Sequence, residues 1–442
     1  MSHGAFAIAE IESDEDSHGK KLFIENACPG DEVKYEIYDE RKNLSYANIT
    51  ELVTASPLRA QNPKCKIHKI CGSCQWQHIK YQEQLKLKKQ NLLDLIQQSK
   101  INIEGLEIPD LIPMKDPWNF RNKVIYPVDT VKSTGRLLAG YFKRNSNELI
   151  NIKYCPIQYS IFDEIIERLK ELCTENGISK QFLRHLLLRS NSNQKQILVC
   201  LIVREKELPK DKYLKLKKTL KQISEDYPVI KTTSINYNDN STNVIMGSKT
   251  EVVTGPGYIM ENFKGLDLKI STESFFQVNT EQFGKIIDLL AEHVQDQEKI
   301  LDAYCGIGTI SLSLAKLKTE LEITGIEIIE AAVENAKLNA EHNQINAKYI
   351  CSKLEDKIEE FTEENFDSVI INPPRKGCTN KVLDTLGKIK SEKIIYVSCN
   401  PATLTRDIKH LEGLGYKTSF LQSIDMFPHS FHFETVAILE KD

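Results

Sequence analysis

The first sixty residues alternate apolar and polar positions in short bursts: "AFAIAEI", "KKLFIENA", "DEVKYEIYDE" and "SYANITELV". A period of two marks half-buried strands, and Pro29-Gly30-Asp31 punctuates them as a turn. Several short strands with short turns predict a small antiparallel barrel of the oligonucleotide-binding type. "SPLRAQNPKC" follows as a linker. The period then lengthens. "YQEQLKLKKQNLLDLIQQ" sets Leu85, Leu92 and Ile96 near helical spacing, and "SIFDEIIERLKELC" predicts a second amphipathic helix. Strands are expected at "NKVIYPV" and "QILVCLIV". From about Leu266 the rhythm is strand, turn, helix, repeated, with strands at "KILDAY", "LEITGIEI", "SVIINP", "KIIYVSC", "KTSFLQSI" and "ETVAILE". That alternation predicts a doubly wound parallel sheet. The last two strands are joined by "DMFPHSFHF" and no helix, so the final one should run antiparallel. The expected fold class is α/β, in three domains: residues 1–62 a barrel, 63–265 a central α+β unit, 266–442 the doubly wound unit.

Bulk properties narrow the function. No apolar run approaches the roughly 18 residues that span a bilayer. The start, "MSHGAFAIAEIESDED", has neither the basic opening nor the apolar core of a secretory signal. A cytoplasmic protein is expected, and its eleven cysteines are then thiols, metal ligands or catalysts before they are disulfides. Net charge is −4, so any grip on nucleic acid must be local. One basic stretch exists: nine Lys or Arg lie between Arg59 and Lys100 against two acids, Glu83 and Asp94. Within it, Lys86, Lys88 and Lys89 fit a solvated helix face.

Inside that stretch stands Cys65-x5-Cys71-x2-Cys74, with Cys155 far downstream. Three close cysteines and one remote one are the arrangement familiar from iron–sulfur clusters. His68 and His78 nearby keep a mixed zinc site as the alternative, with unliganded thiols as the third. Cys28, Cys173, Cys200 and Cys351 show no grouping and are expected to be packing residues.

"ILDAYCGIGTISLSLA" puts Gly306 and Gly308 between a strand and a helix, where glycines let a ligand approach the backbone. The third glycine of the dinucleotide fingerprint is absent, since Ser311 stands there. Glu327 ends the next strand, about 20 residues on, where a carboxylate accepts ribose hydroxyls. An adenosine without phosphates fits best, and S-adenosylmethionine is the obvious one. "VIINPPRKGC" ends a further strand. Asn-Pro-Pro suggests an amine N-methyltransferase, but Arg375 follows where those enzymes place an aromatic residue for the flipped base. "KIIYVSCNPATLTRDI" brings Cys399 to the carboxyl end of a strand and stops it at once with Pro401. C5 of uracil is too weak a nucleophile to attack a methylsulfonium unless a thiolate first adds at C6. A base must afterwards remove the C5 proton. Cys399 meets the first need, and "MFPHSFHFETV" offers Glu434, His429 and His432 for the second.

These segments resemble the RNA uracil-C5 methyltransferase family: "CKIHKICGSCQWQH" with Cys155, "ESFFQVN", "LDAYCGIGT", "INPPRKG", "YVSCNPATLTRD" and "MFPHSFHFETV". The resemblance covers nearly the whole chain. It implies a TRAM-type N-terminal barrel, a Rossmann-like methyltransferase domain, Cys399 as nucleophile and Glu434 as proton acceptor. It implies a [4Fe–4S] cluster on Cys65, Cys71, Cys74 and Cys155, and S-adenosylmethionine held by Gln277, Tyr304, Glu327 and Asn372. Two residues depart from the family: Ser73 stands for a glycine, and Asn372 replaces the acid of Asp-Pro-Pro-Arg. Members with both barrel and cluster act mainly on ribosomal RNA, which implies a 23S rRNA uridine, with transfer RNA as the alternative. A catalytically silent RNA-binding protein is the reading from another class. Nothing in the sequence demands an oligomer, so a monomer is expected.

Overall fold

The structure, a computed structural model, describes residues 5–9, 21–240, 242, 244–362, 364–389 and 391–442. Strands β1 (Ala7–Ala9), β2 (Lys21–Glu25), β3 (Glu32–Glu40) and β4 (Leu44–Thr54) form one sheet in the order β1-β2-β4-β3. The last two residues of the expected first strand, 10 and 11, lie outside the described residues. The expected antiparallel barrel needs correction: β2 and β4 pair in parallel, Leu22 opposite Ser45, so the described strands form a mixed sheet. Alternation reports which face is buried, and carries no information on which strand is the partner. Ala7, Leu22, Ile24, Ala27 and Ala47 make its small core.

The middle of the chain opens with helix α1 (Tyr81–Ser99). Its solvated-face reading fails at Lys88, which is wholly buried and ion-paired at 2.6 Å with the equally buried Asp425. Lys86 and Lys89 do sit outside, paired with Glu83 and Asp110. Strands β5 (Lys123–Thr130), β6 (Leu137–Phe142) and β7 (Leu149–Asn151) precede helix α2 (Ile161–Glu175). Strands β8 (Leu183–Ser190) and β9 (Ile197–Val203), helix α3 (Lys210–Asp226), and strands β10 (Ile230–Tyr237) and β11 (Lys249–Thr254) complete a seven-stranded sheet, ordered β11-β10-β9-β8-β5-β6-β7. All seven residues of β9, Ile-Leu-Val-Cys-Leu-Ile-Val, are buried on both faces; such a central strand reads as a continuous apolar run. A hairpin, β12 (Tyr258–Phe263) and β13 (Leu266–Ser271), follows.

Helix α4 (Thr280–Glu292) leads into the last unit. Strands and helices then alternate: β14 (Lys299–Ala303), α5 (Thr309–Leu317), β15 (Glu322–Glu327), α6 (Glu330–His342), β16 (Ala347–Cys351), α7 (Leu354–Lys357), β17 (Ser368–Ile371), α8 (Asn380–Ile389), β18 (Lys393–Ser398) and α9 (Pro401–Glu412). Strands β19 (Tyr416–Ile424) and β20 (Glu434–Lys441) finish the chain. The sheet runs β16-β15-β14-β17-β18-β20-β19, and β20 is antiparallel to both neighbours, as expected. The chain builds outward from β14 to β16, then returns to β17 on the other side. The switch point therefore lies between β14 and β17, where ligands of open α/β sheets bind.

One apolar core joins the two large sheets. Leu187, Leu198, Cys200 and Ile202 of the middle sheet pack in the same cluster as Ile300, Ile395 and Ile438 of the last.

Candidate active site

A cleft of about 680 Å³ opens at the switch point. Gln277, Tyr304, Glu327, Asn372, Cys399 and Glu434, six residues far apart in sequence, all line it. Strand ends explain the convergence. Tyr304 follows β14, Glu327 ends β15, Asn372 follows β17, Cys399 follows β18 and Glu434 opens β20. Gln277 enters from the segment before α4, where Asn122 donates to its carbonyl at 2.9 Å.

The turn after β14 is built for close approach. Tyr304, Gly306 and Gly308 all adopt positive φ. A Cβ on Gly308 would stand 2.5 Å from the Tyr349 hydroxyl, whereas one on Gly306 would meet only open space. Gly306 N–H donates to Glu327 Oε2 at 3.1 Å, while Ile328 and Ile329 N–H hold Oε1 at 2.8 and 3.0 Å. Glu327 is thus fixed by three backbone donors at the rim of an uncrowded cradle. Beneath it, buried Asp302 accepts from Ser311 N–H at 3.3 Å, and burial raises its carboxyl to about 6.

On the other wall, Asn400 ties two loops together. Its Oδ1 caps α9 on Ala402 N–H at 3.2 Å, and its Nδ2 donates to the Arg375 carbonyl at 2.9 Å. Cys399 is half-buried. Burial, then the neighbouring Glu434 carboxyl, push its thiol up to about 11, with Arg375 pulling the other way. Glu434 is 3% exposed. Burial lifts its carboxyl to about 8, again opposed by Arg375. Burial thus holds both the thiol and the carboxyl protonated at neutral pH, and Arg375 favours the charged form of each.

The two histidines offered beside Glu434 go elsewhere. His429 is buried against Trp118, ring centroids 3.8 Å apart, and burial drives its imidazole down to about 3. It is a packing residue. His432 Nε2 instead meets Arg375 Nη2 at 3.3 Å. Phe275, 62% exposed on the cleft rim, carries no sequence signal beyond its place in "ESFFQVN". Glu355 lines the cleft without any sequence signal.

Cys65, Cys71, Cys74 and Cys155, all buried, gather around one second, smaller cavity with His68 at its edge. Burial first, and then the neighbouring cysteine, raise the Cys74 thiol to about 12. His78 is not among them; it is buried with Nε2 3.3 Å from the Ala27 carbonyl. Among the described residues no group of three or more His, Cys, Asp or Glu side chains is placed to hold a metal ion. Of the expected packing cysteines, Cys28, Cys173 and Cys200 are buried, but Cys351 is exposed at the end of an outer strand. No helix among the described residues is long and apolar enough to cross a membrane.

An open α/β sheet with a glycine turn at its switch point, and one cleft lined by the ends of its strands, is the architecture of a methyltransferase. Residues 80–442 match the family described as tRNA (Uracil-5-)-methyltransferase. An "uncharacterized RNA methyltransferase" of Bacillus cereus is 35% identical over 453 residues, covering 100% of this chain and 95% of that one. Another of the same description, from Clostridium tetani, is 35% identical and covers 95% and 91%. Among solved structures, the Pyrococcus abyssi tRNA (uracil-54, C5)-methyltransferase in complex with S-adenosyl-L-homocysteine superposes with a TM-score of 0.75, at 27% identity, covering 98% of this chain and 99% of that one. The chain belongs to the tRNA (uracil-5-)-methyltransferase family, and so to the RNA methyltransferases.

Proposed function

We propose that this protein methylates C5 of a uridine in RNA, using S-adenosylmethionine. The observation that carries the reading is the convergence of Cys399, Glu434 and Arg375 in the same cleft as the cradle. Gln277, Tyr304, Glu327 and Asn372 hold the methyl donor; the open space over Gly306 and the anchored Glu327 carboxylate suit a ribose. When bound, the donor supplies an electrophilic methyl group. Cys399 adds as thiolate to C6, and the ring's electrons make C5 the nucleophile that takes the methyl. Glu434 then removes the C5 proton, the C5–C6 double bond reforms and the thiolate leaves. Arg375 opposes the loss of charge stability that burial imposes on both groups. Asn372 presents an amide where the family has an acid, so it both donates and accepts without charge.

We read the four-cysteine cavity as the site of a [4Fe–4S] cluster. Four buried thiols lining one small cavity match the four thiolates that a cluster takes. In this reading it scaffolds the fold or positions RNA, since methyl transfer needs no electrons. The division into units 1–62, 63–265 and 266–442, a monomer and a cytoplasmic location complete the proposal. The rRNA expectation has a specific rival, because the matched family and the Pyrococcus abyssi protein both carry tRNA in their descriptions.

The test is transfer of labelled methyl to unmodified 23S rRNA and tRNA by anaerobically purified wild type and Cys399→Ala, with iron and sulfide assayed on the same preparation. Label in 5-methyluridine that vanishes in the variant supports the chemistry, and the RNA that takes it names the substrate. Activity surviving in Cys399→Ala would replace the covalent route with direct amine methylation.

A further inference from the structure

The segment "TLTRD" holds an ion pair that the cleft chemistry does not use. Arg406 and Asp407 stand on α9, and neither lines the cleft. Asp407 is fully buried. Its Oδ2 accepts from the Cys378 N–H at 2.9 Å and from the Tyr396 hydroxyl at 2.8 Å, while its Oδ1 accepts from Arg406 Nε at 2.8 Å. Arg406 Nη2 reaches on to the Lys376 and Cys378 carbonyls, both at 3.1 Å. Tyr396 belongs to β18, the strand that delivers Cys399. The pair therefore fastens the loop from Arg375 to Cys378 onto the strand of the nucleophile.

The same loop is held at its other end. Asn400 Nδ2 and Thr403 Oγ1 both donate to the Arg375 carbonyl, at 2.9 and 3.4 Å. Between these anchors Gly377 turns with a φ of +71°, its N–H donating to the Pro374 carbonyl at 2.8 Å. A Cβ on Gly377 would stand 2.6 Å from Asp407 Oδ2 and 2.7 Å from Arg406 Nη2. The loop backbone thus lies directly on the pair, and a glycine allows both the turn and the approach.

What the loop carries is Arg375. That side chain is exposed, and a long exposed side chain keeps its rotamer freedom unless something fixes it. Its guanidinium favours the charged forms of Cys399 and Glu434, by attraction to each and by a hydrogen bond to the thiol. Such attraction weakens with distance, so a loop that slips loses its support of both groups at once. We propose that Arg406 and Asp407 are positioning residues for methyl transfer: they clamp the 375–378 loop to β18 and so keep the Arg375 guanidinium beside the nucleophile and the base. The proposal rests on the reading of the cleft as a uridine site.

The test is the rate at which iodoacetamide alkylates Cys399 in the full chain at about pH 8, without RNA or methyl donor, each cysteine being followed by peptide mass spectrometry. Only the thiolate reacts. Arg375→Met should raise the thiol by about one pH unit, and the tenfold loss of thiolate, partly offset by its greater basicity, should slow Cys399 about threefold. Arg406→Met should slow it by a similar factor, and Arg375→Met/Arg406→Met no further, because the clamp acts only through Arg375. Gly377→Ala, which forces the loop off the pair with both partners in place, should give the same slowing. Exposed Cys351 should react at the wild-type rate throughout and buried Cys173 should stay unlabelled, which excludes misfolding. Wild type is assayed in parallel for methyl transfer to RNA. Absence of transfer with the alkylation pattern intact would remove the methylation reading and leave the clamp. Wild-type alkylation in Arg375→Met, Arg406→Met or Gly377→Ala, or effects of the two arginine changes that multiply, would overturn the proposal.

Discussion

Replacing Glu434 by Gln tests the electrostatics of the cleft apart from its chemistry. The carboxyl titrates near 4.5 in an unfolded chain and near 8 in the folded protein, because burial penalises its charged form. Between those values the folded protein keeps a proton that the unfolded chain has released, and each pH unit of that window costs about 1.4 kcal/mol. The stability that neutral Glu434 contributes is whole below pH 4.5 and is lost as pH rises through 8, a total of about 5 kcal/mol. Gln has the shape of the protonated acid and does not titrate. Glu434→Gln should therefore match wild type at pH 4, exceed it by about 3 kcal/mol at pH 7 and by about 5 at pH 9. The assay is the difference in thermal midpoint between the two proteins across that range. It should open from nothing to several degrees, at a few degrees per kcal/mol. A difference independent of pH would mean that the carboxyl ionises normally, and would remove Glu434 from its place as a proton acceptor tuned to neutral pH. The same variant, given substrate RNA and the methyl donor, should accumulate a protein–RNA species that survives denaturing gels, since nothing removes the C5 proton.

Three further outcomes follow from the geometry. Log kcat/KM, which reports the free protein, should climb through pH 8 and keep climbing toward 11, since both Glu434 and Cys399 start protonated at neutral pH; a plateau below pH 7 would contradict this. Lys88→Met strands the Asp425 carboxylate in the core and should cost roughly 3–5 kcal/mol, with Lys88→Met/Asp425→Leu recovering most of it in thermal melts. Gly308→Ala meets both a φ of +79° and the Tyr349 hydroxyl at 2.5 Å. It should lose roughly 1–2 kcal/mol from left-handed strain alone, whereas Gly306→Ala, whose Cβ would enter the open space read as the ribose site, should in addition bind S-adenosylmethionine more weakly by calorimetry.

The strands of the last unit were legible because each is an apolar run ended by Gly, Pro or a polar turn, and parallel strands buried on both faces must read that way. The same rule made the ends of β14, β15, β17 and β18 the place to look for chemistry. β16 escaped because "AKYIC" is short and only its central Tyr349 is buried. The parallel pairing of β2 with β4 escaped because period-two alternation is indifferent to strand direction. Lys88 misled for a different reason: its partner, Asp425, is 337 residues away, and no local pattern distinguishes a buried lysine with a distant acid from an exposed one. His429 and Glu434 lie five residues apart in one polar segment, and only the packing of Trp118 on one and the opening of the cleft beside the other tell them apart.

That segment also shows why a cysteine site belongs in this enzyme. Trp76 N–H, two residues past Cys74, donates to the His429 carbonyl at 2.9 Å. Buried Gln84 of α1 closes the contact: its Nε2 donates to the Trp76 carbonyl at 3.0 Å and its Oε1 accepts from His429 N–H at 3.0 Å. The cysteine loop and the loop that delivers Glu434 are therefore one hydrogen-bonded unit, and disorder in the first must be felt by the second. Gln84 Nε2 also donates to the Ile79 carbonyl at 2.9 Å, so Gln84→Leu leaves that carbonyl and the His429 N–H unmet, a loss on the order of 2–4 kcal/mol. If the loops act together, Gln84→Leu and Cys155→Ser should each lower kcat, and the double variant should lower it little further, because either change already frees the base. Effects on kcat that multiply would show that the cysteines act on the RNA alone, and that Glu434 is held by its own strand.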